Sequence, residues 1–130
     1  MFTVRVESEF AAAHFLSHYH GKCENLHGHN YRVRLWARGA ELSEGGMLAD
    51  FGILKQALRA VIAELDHTNL NDKAIFEGDP SAERIARYIY NGVEAELSRT
   101  KDGAQAAALL YAVDVYETPV NMARYTRDGA

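Results

Sequence analysis

The sequence predicts an α+β domain in which two helices lie on one face of a four-stranded, mainly antiparallel sheet, in the order ββααββ. Three observations predict it. Segments near both ends of the chain alternate apolar and polar residues with the period of two of a half-buried strand. Two central segments repeat apolar residues at steps of three and four, the period of an amphipathic helix. No repeat, low-complexity tract or linker interrupts the 130 residues, a length that suits one domain, residues 1–130, with a core of its own.

In residues 2 to 13, Val4, Val6, Phe10 and Ala12 share one face while Arg5, Glu7 and Glu9 share the other. Residues 29 to 38 repeat the pattern, with Tyr31, Val33, Leu35 and Ala37 opposed by Arg32, Arg34 and Arg38. A helix follows from Ile53, carried by Leu54, Ala57, Leu58, Val61, Ile62 and Leu65 behind an Asp50 cap. Asp79 as cap and Pro80 at the first helical position open a second helix, carried by Ile85, Ile89, Val93 and Leu97. The chain returns to strand in "LLYAVDVYE" and "NMARYT", separated by a turn at Thr118 and Pro119. Runs of strand, helix and strand in this order place both helices on one side of the sheet.

Composition excludes several function classes. Hydrophobic residues at 48% and charged residues at 25% describe an ordinary water-soluble chain. No apolar run approaches the roughly 20 residues of a membrane span, and no basic-then-apolar signal opens the sequence, so a cytoplasmic location and no membrane partner are expected. A formal charge of -4 argues against broad nucleic-acid binding. The single cysteine, Cys23, has no intrachain disulfide partner, which leaves packing, metal ligation or chemistry.

The segment "GKCENLHGHNYRV", residues 21 to 33, concentrates polar chemistry. If the register of the second strand extends backwards, His27 and His29 point to the side of Tyr31, Val33 and Leu35. His14 leaves the first strand on its apolar side as well. Strands adjacent in sequence usually pair, which brings the three imidazoles together. Such convergence at the edge of a core is costly unless something occupies its centre, and zinc accepts histidine nitrogens at about 2.0–2.1 Å. Three protein ligands leave a fourth position open, as in catalytic zinc sites; Cys23 closing that position makes the site structural instead. A plainer account has each histidine bonded to backbone and packed. His18 and His20 lie in the same loop, as solvated residues or secondary substrate contacts.

Two further positions break their local pattern. Glu117 shares a face with Tyr111, Val113 and Val115, so an acid closes the apolar side of a strand. Its two oxygens suit an amidine-like edge such as that of a pterin or guanine; alternatively it is a strand-end acid in solvent. In "ELDHTNLND", Asp66 and His67 follow a helix's last apolar residue. A carboxylate orienting an imidazole is an acid–base arrangement, and equally a common way to cap a helix end.

Together these residues resemble the 6-pyruvoyl-tetrahydropterin synthase family, particularly its bacterial 6-carboxy-tetrahydropterin synthase branch of queuosine (7-deazaguanine) biosynthesis. The resemblance runs through "FAAAHFLSHYHGKCENLHGHNYRV", "GGMLADFGILKQAL", "LDHTNLND", "DPSAERIARYIY" and "VYETPVNMARY". It implies that His14, His27 and His29 bind Zn2+, that Cys23 is the base, that Asp66 and His67 form its relay, and that Glu117 anchors the pterin. It also implies the tunnelling fold, in which sheets of several copies join into barrels that stack as a trimer pair, a homo-oligomer with Arg5, Arg32, Arg34 and Arg38 facing a basic lumen. The implied substrate is 7,8-dihydroneopterin triphosphate. The carboxy branch acts as a lyase, releasing triphosphate and acetaldehyde; the pyruvoyl branch stops after elimination and internal redox transfer. Three residues separate Cys23 from His27, matching the shorter loop of the carboxy branch. Some members place a glutamate where the cysteine stands and form 6-hydroxymethyl-dihydropterin for folate. Here Cys23 and Glu24 are adjacent, so a dual activity is a further expectation. A zinc- or pterin-binding module without chemistry explains the histidines and Glu117, but not the cysteine or the Asp66–His67 pair.

Overall fold

The computed structural model describes residues 1–16 and 25–127. The chain runs through β1 (Phe2–His14), β2 (His27–Gly39), α1 (Phe51–Ala63), the two-residue β3 (Thr68–Asn69), 3-10 turns at Leu70–Asp72 and Ala74–Phe76, α2 (Ala82–Leu97), α3 (Lys101–Ala107), β4 (Leu110–Thr118) and β5 (Asn121–Thr126). The sheet order is β3-β1-β2-β4-β5. Neighbouring strands are antiparallel except β3, which runs parallel to β1.

The class is α+β, as expected, but the sheet is mixed and five-stranded rather than four-stranded and antiparallel. The added strand, β3, pairs only Thr68 and Asn69 with Ala12 and Ala13, too short a stretch to carry a period in the sequence. The described residues also hold three α-helices rather than two. The extra one, α3, is a seven-residue segment capped by Thr100, whose side chain accepts the Gly103 N–H at 3.0 Å. Glycine is required there, since a Cβ at Gly103 would stand 2.2 Å from the Leu97 carbonyl oxygen.

Asp50 caps α1 as expected, accepting from the N–H groups of Gly52 and Ile53. The expected cap of α2 is corrected: Ser81, not Asp79, accepts the Arg84 N–H at 3.2 Å. Asp79 and Pro80 therefore lie in the preceding turn, where the Asp79 N–H donates to Phe76 and the Ser81 N–H to Asp79. This frees the Pro80 carbonyl for another partner.

The core forms where the alternating apolar face of the strands meets the helices. Phe10, Tyr31, Val33, Leu35, Val113 and Val115 pack with Leu54, Leu58, Val61, Ile85, Ile89 and Val93 in one buried cluster. Each large apolar side chain buried this fully contributes on the order of 1.5–3 kcal/mol. The other face of the sheet is polar and internally paired. Arg34 Nε donates to Glu7 at 2.6 Å, and the buried Asp114 carboxylate accepts from Trp36 Nε1 at 2.7 Å and Arg124 Nε at 2.6 Å. The guanidiniums of Arg5 and Arg38 lie over Trp36 and Tyr111. Among the described residues, no helix is long and apolar enough to cross a membrane.

Candidate metal centre and adjoining clefts

The β1–β2 register sets His14 directly opposite His27, and Ala12 opposite His29. With side chains alternating along each strand, all three imidazoles emerge on the core side at the same end of the sheet. Their ring centroids lie 4.6 to 5.0 Å apart, and their ligand nitrogens fall within 4.8 Å of one another. His14 is buried, while His27 and His29 are half-buried.

The partners of these rings fix their tautomers. A carbonyl has no hydrogen to donate, so His14 Nδ1 must donate to the Pro80 carbonyl at 2.9 Å and His27 Nδ1 to the Asn25 carbonyl at 2.6 Å. In their neutral forms both rings then carry lone pairs on Nε2, and these two atoms stand 3.0 Å apart. Two lone pairs at that separation repel unless a cation or a proton lies between them. His29 Nε2 is buried with no hydrogen-bond partner among the described residues, a cost that a metal bond removes. Burial holds the His29 pKa below the ordinary histidine value; Glu117 opposes this and the other two histidines add to it. The ring is thus kept in the neutral form that ligates. The three residues fit a metal ion, and the carbonyl partners supply the outer hydrogen bonds that orient metal-binding histidines.

Glu117 lies beside this cluster, with Oε1 3.8 Å from His14 Nε2. The β4–β5 register shifts between Tyr116 and Thr118, and such an irregularity re-aims a side chain at a strand end. Its carboxylate borders two clefts, one lined by Asn30, Arg32, Arg34 and Tyr116, the other by Leu16, Ser81 and Met122. Asp66 and His67 are brought to the edge of β1. Asp66 Oδ1 accepts the Ala11 N–H at 3.0 Å, and Oδ2 is 3.0 Å from His67 Nδ1. That first bond, followed by His67, holds the Asp66 carboxyl below its ordinary pKa. His67 adopts a left-handed backbone (φ 57) while its N–H donates to the Ala11 carbonyl. Its ring is exposed and shares an open cleft with His29, Gly28 and Asn69. Cys23, Glu24, His18 and His20 lie outside the described residues.

Residues 3–128 of the sequence match the family model described as 6-pyruvoyl tetrahydropterin synthase. The chain belongs to that family. A Synechocystis relative named 6-carboxy-5,6,7,8-tetrahydropterin synthase is 38% identical, over 96% of this chain and 93% of its own. A Drosophila melanogaster 6-pyruvoyl tetrahydrobiopterin synthase is also 38% identical, over 81% of this chain and 61% of its own. The fold is similar to that of the Caenorhabditis elegans 6-pyruvoyl tetrahydropterin synthase, with a TM-score of 0.82 and 29% identity over 96% of this chain and 94% of that one.

In this member of the family, the groups that sequence reasoning missed are those behind the histidines. The carbonyls of Pro80 and Asn25 leave no mark in a sequence, because every residue has one. In the sequence Tyr31 stands out only as an apolar strand position. Its ring stacks on Phe10 at 4.8 Å and stands edge-on to His14 and His29, and burial pushes its pKa well up, so it remains a neutral phenol behind the cluster.

Proposed function

We propose that this chain converts 7,8-dihydroneopterin triphosphate to 6-carboxy-5,6,7,8-tetrahydropterin, with release of acetaldehyde and triphosphate, in the cytoplasmic route to queuosine. The observation that carries this reading is the convergence of His14, His27 and His29, with two opposed Nε2 atoms and an orphaned third. The name of the Synechocystis relative supports the carboxy product.

In this reading the three histidines hold Zn2+. The ion supplies Lewis-acid polarisation of the substrate's side-chain oxygens, which acidifies the adjacent C–H groups. Glu117 receives the amino and ring N–H edge of the pterin, a bidentate charge-assisted contact. Cys23 removes a proton as the thiolate and returns it as the thiol. Asp66 fixes His67 through Nδ1, which leaves Nε2 of that ring to exchange a proton with the base. Copies of this single domain join through their sheet edges into barrels, as a trimer or pair of trimers. Supporting this, among the described residues the edge of β1 turned away from β2 is paired only by β3, at Ala12 and Ala13, and β5 ends the sheet on the other side. Edges of that kind accept another strand. The 6-pyruvoyl product is the second reading, favoured by the name of the Drosophila relative.

The deciding experiment incubates zinc-loaded protein with 7,8-dihydroneopterin triphosphate, resolves the pterins chromatographically and measures acetaldehyde. One acetaldehyde per 6-carboxy-tetrahydropterin is expected. A pyruvoyl product without acetaldehyde overturns the carboxy assignment, and no turnover by fully loaded protein overturns the enzymatic reading.

A further inference from the structure

The His14–Pro80 hydrogen bond joins a strand to a turn 66 positions away, and one side chain holds both ends of it. Asn71 Oδ1 accepts the Phe15 N–H at 2.8 Å, and Asn71 Nδ2 donates to the Phe15 carbonyl at 3.0 Å. The amide thereby pairs with the backbone of the residue that follows His14, much as a neighbouring strand would. The same Nδ2 donates to the Gly78 carbonyl at 2.9 Å, two residues before Pro80. Asn71 is itself held in place, because its N–H donates to Asn69 Oδ1 at 3.1 Å and its neighbour Leu70 is fully buried. On the far side Arg84 Nη1 braces the same turn through the carbonyls of Phe76 and Asp79.

We propose that Asn71 is a positioning residue that sets the metal-binding geometry of His14. By tying Phe15 to Gly78 it fixes the separation of His14 Nδ1 from the Pro80 carbonyl. That bond holds the tautomer and the angle of the ring, so that the Nε2 lone pair points at the space shared with His27 and His29. Without the amide, the end of β1 is still joined to this turn by the hydrogen bond of the histidine itself, His14 Nδ1 to the Pro80 carbonyl. The inference rests on the three-histidine reading above.

The test titrates metal-free protein with Co2+, using competition with a chelator for affinity and the visible absorption of the bound ion for geometry. Asn71→Ala is expected to bind Co2+ about tenfold or more weakly, the range for loss of an outer partner of a metal-binding histidine, with an altered absorption band. Asn71→Asp keeps an acceptor for the Phe15 N–H but loses both donated bonds; it is expected to shift in the same direction, and it decides the matter if the alanine variant does not fold. Ile89→Val, a core change away from the histidines, is expected to lower thermal stability and leave affinity and spectrum unchanged. Wild-type binding with unchanged Asn71 variants overturns the positioning role alone, and so does an equal loss in Ile89→Val. Wild-type protein that takes up no Co2+ overturns the three-histidine reading and this inference with it.

Discussion

His14 and His27 face each other across the β1–β2 pair with their Nε2 atoms 3.0 Å apart, while both Nδ1 atoms donate to backbone carbonyls. Two nitrogens bound tetrahedrally at 2.0–2.1 Å stand about 3.3 Å apart, so the pair needs almost no rearrangement to share an ion. His29→Ala is expected to remove most bound zinc with little loss of metal-free stability, because its Nε2 has no partner to abandon among the described residues. His14→Ala is expected to remove zinc and also to destabilise the metal-free protein by about 1–3 kcal/mol, the cost of stranding a buried acceptor. Metal analysis with thermal unfolding of both variants checks this; undiminished zinc in either contradicts it.

Glu117→Gln preserves shape but removes the charge and one acceptor. Affinity for a pterin analogue is expected to weaken by roughly 1.5–3 kcal/mol, the contribution of a charge-assisted hydrogen bond. Calorimetry on zinc-loaded protein reads this directly. Unchanged affinity would reduce Glu117 to a strand-end acid that happens to lie near His14.

Cys23 and Glu24 are adjacent in sequence, and each is a candidate base. Cys23→Ala is expected to abolish 6-carboxy-tetrahydropterin while leaving some 6-hydroxymethyl-dihydropterin, and Glu24→Ala to do the reverse. Product chromatography separates the two. If the cysteine variant makes neither product with zinc still bound, or the glutamate variant loses nothing, only one base operates.

Asp66 predicts a pH dependence of stability. The Ala11 N–H and then His67 hold its carboxyl below 3.8 in the folded protein, so the native state binds fewer protons than the unfolded one. Its contribution is therefore fully present above the unfolded value and is lost as the pH falls through the folded value. Asp66→Asn keeps an oxygen for Ala11 but carries no charge. Urea unfolding across a pH series should show a wild-type advantage that is constant above about pH 5 and shrinks below about pH 4; a constant gap down to pH 2 would show that the charge is not involved.

The sequence by itself determined the two long strands, the two long helices and the side on which three histidines emerge. Those features follow from local periods: alternation places His14 with Phe10, and His27 and His29 with Tyr31, whatever the rest of the chain does. It also exposed Glu117 and the Asp66–His67 pair as departures from pattern. Tertiary structure alone decided what surrounds them. A two-residue strand and a seven-residue helix are too short to show a period, and they exist because β1 offers an edge at Ala12 and Ala13 and because Gly103 permits a close approach to Leu97. The start of α2 followed the same rule, since both Asp79 and Ser81 are good caps and only the packed turn selects Ser81. The tautomers of His14 and His27 depend on carbonyls of Pro80 and Asn25, groups common to every residue. Side-chain type shows in a sequence at once, but the hydrogen bond that aims a ring is fixed only when distant backbone is brought within 3 Å of it, here Pro80 at 2.9 Å from His14.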